Sequence, residues 1–348
     1  MINKGKYLII IGITLFLSSC YTASLIETDI LNPAERAVSQ YIYRVGVVSR
    51  MDLDVKRNGG RIIRKARIVF ERDSMMLKNA VLGLLDGLAE SPRFDAYKID
   101  GKRILSGGDS NLGRPLSRSL IDTLAAKDEL DLIISLTAAN FEDTVILQKN
   151  LRSARPEDLK RDSILLRDLF KNGYNEAYVL FPHLYWRWYH VKTGEVEKYV
   201  QIDTLFYPPG PNRGYPSNST TIEYLFDAIG DCGYNYSRVF APYWTTRERV
   251  WFPSGDADFN RAGKLANEGK WLEASEIWNK LAYSENQRIA ARASLNMAVA
   301  SEMLDKIDIA IVWAERAIEI GPDYYPEYYL KALKDRKKQI SLLDDQMK

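Results

Sequence analysis

Few side chains in this sequence sit at spacings that do chemistry. The only histidines are His183 and His190. In a regular strand a separation of seven puts them on opposite faces, so they are not expected to share a metal ion. Asp52 and Asp54, in MDLD, would lie on one face just past a strand. Carboxylates there can bind a cation or act as acid and base, and exposed loops carry them too. The stretch SGGDSNLGRP, residues 106–115, is glycine-rich but lacks the Gly-Lys-Ser/Thr ending of a phosphate loop. No Gly-x-Ser-x-Gly, His-Glu-x-x-His or EF-hand pattern occurs. No catalytic residue, metal ligand or cofactor is therefore assigned, and an enzyme with an unrecognised site is the last of three readings.

Rings dominate PHLYWRWYH, residues 182–190. Alternation puts His183, Tyr185, Arg187 and Tyr189 on one face and Leu184, Trp186, Trp188 and His190 on the other. One aromatic face could stack on a sugar. Aromatics also favour strands for packing alone, and the tryptophans are expected to lie under helices. A long Tyr/Pro/Gly loop, FYPPGPNRGYPSNST, follows and could rim a binding surface. The glycan-surface candidates are Tyr185, Arg187, Tyr189, Tyr207 and Tyr215.

Position along the chain says more than chemistry does. Lys4 and Lys6 precede an apolar stretch, Tyr7 to Leu17, too short to span a bilayer core of ~30 Å. It ends in Leu17-Ser18-Ser19-Cys20, which resembles the lipobox of bacterial lipoproteins. That resemblance implies that residues 1–19 are a signal peptide, that Cys20 is acylated as the mature N-terminus, and that residues 20–32 are a tether. By analogy the protein would sit on the periplasmic face of the outer membrane. Lipid would then be its membrane attachment, since no other apolar run of about 18 residues occurs. Cys232, the other cysteine, would have no disulfide partner within the chain and is expected to be a small buried hydrophobe. A net charge of +2 gives no case for nucleic acid, and 46% hydrophobic with 27% charged residues describes a folded chain.

Residues 33–253 alternate strand and helix signals, so an α/β domain with a mixed sheet is expected. Its markers are the run Val45 to Val48, a helix then strand ending FDAYKID, a helix to about Leu130 before a strand Leu132 to Leu136, and a hairpin turning on Lys192-Thr193-Gly194-Glu195. A further helix is expected at TTIEYLFDAIGDCGYNYS, capped by Thr220 or Thr221. These markers resemble the small α/β domain at the amino terminus of the translocation protein TolB and of curli-secretion-type lipoproteins.

Residues 256–345 read as helices. LANEGKWLEASEIWNKLA and EMLDKIDIAIVWAERAIEIGP align at an offset of 36, pairing Gly269 with Asp305, Trp271 with Ile307, Ala274 with Ala310 and Trp278 with Ala314. This resembles the tetratricopeptide repeat, with a capping helix from Pro326 to about Met347. On such a repeat Asn260, Asn267, Arg292, Asn296 and Glu302 would face a groove, and Arg292, Arg336 and Lys337 would favour an acidic peptide or C-terminus.

Together Leu17 to Cys20, ILNPAE before VGVVSR, APYWTTRERVWF and the helical tail resemble an uncharacterised family of Bacteroidetes lipoproteins with a domain of unknown function and tetratricopeptide-like repeats. The resemblance implies architecture and no chemistry. Five triplets starting at Asp73, Asp122, Asp143, Asp162 and Asp203 also resemble the O-glycosylation acceptor of such bacteria, with one or two modified at most. The first functional expectation is a non-enzymatic adaptor holding a protein or peptide at the repeats. The second is an envelope glycan- or peptidoglycan-binding lipoprotein using the aromatic strand.

Overall fold

The computed structural model describes residues 23–49, 64–99, 115–147, 169–211, 213–321 and 324–348. The chain divides into two compact units. One takes the residues to Ile30 with Thr246–Ile340, and the other takes Leu31–Thr245 with Ser341–Lys348. The expected tether holds instead a strand, β1 (Ser24–Asn32), which forms a two-stranded sheet with β8 (Tyr243–Trp251).

The α/β unit is built on a mixed six-stranded sheet. Its strands are β2 (Arg44–Ser49), β3 (Asp95–Lys98), β4 (Leu132–Leu147), β5 (Glu176–His190), β6 (Val196–Ile202) and β7 (Leu205–Tyr207). The order is β3-β2-β4-β5-β6, with β7 also paired to β5. β2 is parallel to β3 and β4, and the remaining pairs are antiparallel. A central parallel strand is covered on both faces, which is why Val45, Val47 and Val48 form an unbroken apolar run and are fully buried. β4 extends eleven residues beyond its expected end at Leu136, since the mixed stretch to Leu147 pairs with β5 past a bulge between Leu136 and Ala138.

Helices α1 (Arg64–Ala89) and α3 (Asn218–Ser237) share a core with one face of this sheet. Trp186 and Trp188 lie in that core as expected: Trp186 stacks on Tyr236 at 4.9 Å, and Trp188 Nε1 donates to the Tyr236 hydroxyl at 2.9 Å. Cys232 is fully buried there. The other face carries α2 (Arg118–Asp128), whose Ile121 and Ala125 pack with Val48, Ile133 and Tyr189. The cap of α3 is Ser217 rather than Thr220 or Thr221: its hydroxyl accepts from the Thr220 amide at 3.3 Å, starting the helix three residues earlier.

The helical unit contains α4 (Ala257–Asn267), α5 (Trp271–Leu281), α6 (Gln287–Met303), α7 (Ile307–Ile320) and, as far as Ile340, α8 (Tyr324–Met347). Its two hairpin turns correspond at the offset of 36. Gly269 and Asp305 both adopt positive φ, +77° and +55°. The Lys270 amide donates to the Leu265 carbonyl and the Lys306 amide to that of Ser301, the same bond 36 residues later. Ala274, Trp278, Ala310 and Ala314 are all fully buried. The end of β8 belongs here rather than with the sheet, because Trp251 and Phe252 pack in this core.

Candidate functional site

The residues expected along a peptide groove are split. Asn260 and Asn267 are exposed, and Asn260 bonds only locally to Gly255. Asn296 is fully buried on α6. Its carboxamide oxygen accepts from the Phe252 amide at 2.8 Å and its nitrogen donates to the Phe252 carbonyl at 2.7 Å. One side chain thus satisfies both polar groups of one residue, as a neighbouring strand would. Arg292 lies over the Phe252 ring at 4.7 Å. Pro253 approaches α4 so closely that a Cβ on Gly263 would stand 1.8 Å from its carbonyl oxygen. Glu302, buried, receives Arg249 Nε and Nη2 at 2.8 Å each and the Tyr329 hydroxyl at 2.5 Å. Arg336 is half-buried, and burial pulls its pKa down against the charges of Glu302 and Asp305. Lys337 is exposed and pairs with Asp308 at 2.6 Å. Asn296 and Glu302 therefore hold the chain's own segment 249–253, and the expected groove is filled at that point.

The five glycan candidates do not form one surface. Tyr189 is fully buried beneath α2, its hydroxyl accepting from the Leu116 amide at 3.2 Å, and Arg187 is 2% exposed. Of the candidates on that face only Tyr185 is partly open. Tyr207 and Tyr215 lie elsewhere: Tyr207 stacks on Tyr224 at 4.4 Å and Tyr215 meets Tyr178 edge-on at 5.9 Å.

The two histidines do fall on opposite faces. His190 shares the face of Trp188, and its Nε2 lies 2.6 Å from Glu197 Oε1. Glu197 also meets Arg36 Nη2 at 3.0 Å and the Tyr199 hydroxyl. Sequence reading missed this cluster, although alternation in VEKYVQI puts Glu197 and Tyr199 on the His190 side once the hairpin register is known. Burial pushes the Glu197 carboxyl up, but bonds from Tyr199, His190 and Arg36 outweigh it and hold it below its ordinary 4.5. A carboxylate so committed makes a poor general base. Burial, then the Glu197 bond, pushes the Tyr199 hydroxyl up to about 12.

Both shifts set pH limits. A depressed carboxyl stabilises the fold above its unfolded value and loses that contribution as pH falls through the folded one. A raised phenol stabilises below its unfolded value of 10 and loses that as pH rises toward about 12. Glu197→Gln is expected to cost about 1 kcal/mol at neutral pH. In thermal melts across pH, the gap to the parent should close as pH falls below 4.5. A gap that persists undiminished in acid would show that the carboxylate is not the stabilising species.

A further feature joins residues the sequence scattered. Where α1 crosses α3 beside β7, a cleft of about 540 Å³ is lined by Tyr207, Phe226 and Tyr234 and by Asp86, Asp227 and Asp231. Burial, then the neighbouring charges of Asp227 and Asp203, raises the Asp231 carboxyl above its ordinary value.

Cys20, Asp52, Asp54, most of the glycine-rich stretch and the Asp162 triplet lie outside the described residues. Asp122-Thr123 sits in α2 and Asp143-Thr144 in β4. Asp203 is buried, bonded by Gln201 Nε2 at 2.7 Å and Asn235 Nδ2 at 3.3 Å. Among the described residues no group of three or more His, Cys, Asp or Glu could hold a metal ion.

Residues 42–252 match a family described as Domain of unknown function (DUF8603), and residues 260–340 match another, Domain of unknown function (DUF6340). No curated protein matches the chain.

Proposed function

The chain belongs to the DUF8603 family, whose match covers residues 42–252, and from that premise we propose that it is an outer-membrane-anchored periplasmic lipoprotein acting as a non-enzymatic adaptor, with a protein partner held by its helical unit. The attachment would be lipid on Cys20. Among the described residues no helix is long and apolar enough to cross a membrane.

One observation carries the adaptor reading: an apolar stripe faces outward on α7. Ile309, Val312, Trp313 and Arg316 follow the i, i+3, i+4, i+7 spacing of one helix face. Val312 is 63% and Ile309 47% exposed, while Ala310, Ala314 and Ala317 take the buried face. Tyr283, 66% exposed, extends the stripe through Trp313, edge-on at 6.4 Å, and through Arg316, whose guanidinium lies 4.3 Å from its ring. Clustered exposed apolar side chains with a polar rim mark contact surfaces, and aromatic and arginine anchors carry much of the energy in such contacts. With the inner face filled at Asn296 and Glu302, this outer stripe is where a partner would dock.

The test is photo-crosslinking in cells from a residue placed at Val312. A discrete protein adduct is expected, lost in Tyr283→Ser/Ile309→Asp. Cys20→Ala should leave the membrane fraction. No adduct, or one unchanged by the substitutions, would remove the adaptor reading; a membrane fraction unchanged in Cys20→Ala would remove the anchor. The glycan reading keeps one supporting observation, Tyr207 in the cleft beside α3, and binding of a neutral chito-oligosaccharide there would bear on it.

A further inference from the structure

The cleft beside α3 is defined by charge as much as by shape. Its volume, about 540 Å³, falls in the ~300–1,000 Å³ range of small-molecule sites. Gly83 and Gly230 line it without side chains, and three rings form much of the rest. Asp227 and Asp231 stand one turn apart on α3, where like charges repel. Asp86 adds a third carboxylate from α1. No lysine or arginine lines the cleft, and among the described residues none pairs with these three carboxylates. Asp203 nearby is already satisfied by Gln201 and Asn235. The wall is therefore aromatic, negative and without a counter-charge of its own.

We propose that this cleft binds an organic cation: a protonated amine on an apolar or aromatic body. The ammonium meets Asp227 and Asp231, whose charges it balances. The body lies against Tyr207 and Phe226, and ring faces attract a cation as well. A neutral ligand would gain no charge attraction from these carboxylates. This assignment does not depend on the adaptor reading, since all its residues belong to the α/β unit.

The test is calorimetric titration of the full-length chain with phenethylamine, its neutral N-acetyl derivative and chitotriose. Saturable binding of the amine is expected, weakened at least tenfold by Asp227→Asn/Asp231→Asn and absent for the acetylated compound. Both substitutions relieve like-charge repulsion one turn apart on α3, so the variant should fold. Should it melt early, Asp86→Asn on the opposite helix gives the same readout. No saturable amine binding, equal binding of the acetylated compound, or binding indifferent to all of these substitutions would overturn the assignment. Chitotriose binding without amine binding would overturn it while leaving the glycan reading standing.

Discussion

Replacing Glu302 with alanine should destabilise the helical unit by about 3–5 kcal/mol, the loss expected when one partner of a buried ion pair is removed. The pair is bidentate, both Arg249 nitrogens standing 2.8 Å from the carboxylate oxygens, and the side chains are only 10% and 5% exposed. Arg249 stays charged at any accessible pH. Without Glu302 its guanidinium would sit in the core with no carboxylate, and the Tyr329 hydroxyl would lose its acceptor too. The orphaned groups, rather than the lost attraction, make the cost large. The triple variant Arg249→Met/Glu302→Leu/Tyr329→Phe removes every member of the cluster. It should recover most of the loss, or exceed the parent, in urea denaturation. Equal destabilisation by the single and triple variants would mean that packing volume, not stranded polarity, sets the effect.

That ion pair also shows where sequence reading stops. Gly269 and Asp305 were legible as equivalent turns because the pattern is local: fixed spacing, small residues at the buried positions, a turn between. The Lys192 to Glu195 hairpin and the tryptophans under helices were legible for the same reason, since strand period and turn chemistry act over a few residues. Arg249 and Glu302 are separated by 53 residues, and Phe252 and Asn296 by 44. Most of APYWTTRERVWF forms β8, and nothing within it says that Trp251 and Phe252 will fill the helical core. Asn296 and Glu302 are buried, and what they meet there, segment 249–253, is a long-range fact. The cleft escaped notice likewise. Its acids and rings come from α1, β7 and α3, and they meet only because two helices cross unusually closely.

That crossing supports the second large effect: adding one methyl group at Gly83 or Gly233 should destabilise the α/β unit by about 2 kcal/mol or more, although alanine is worth about 1 kcal/mol more than glycine in a helix. A Cβ on Gly83 would lie 2.0 Å from the Gly230 carbonyl oxygen, and one on Gly233 2.1 Å from that of Ala80. The obstructing atoms are helix backbone, so no side chain can rotate aside. α1 and α3 would have to separate, loosening Leu84, Ile229 and Tyr236 in the core between them and the sheet. Gly230 supplies the control. It lies on the same helix between these contacts, yet a Cβ there meets nothing nearer than the Asn79 carbonyl at 4.0 Å. Gly230→Ala should therefore be neutral or stabilise by up to about 1 kcal/mol. Thermal melts of the three alanine variants decide the matter. If Gly83→Ala and Gly233→Ala melt at or above the parent, the helices do not meet through these glycines. If Gly230→Ala falls with them, helix conformation rather than close approach is the cause. The same comparison bears on the cleft, because separating α1 from α3 would move Asp86 away from Asp227 and Asp231. Gly83→Ala and Gly233→Ala should then weaken amine binding as well as stability, while Gly230→Ala, which adds a methyl to the cleft wall, should change binding with no loss of stability.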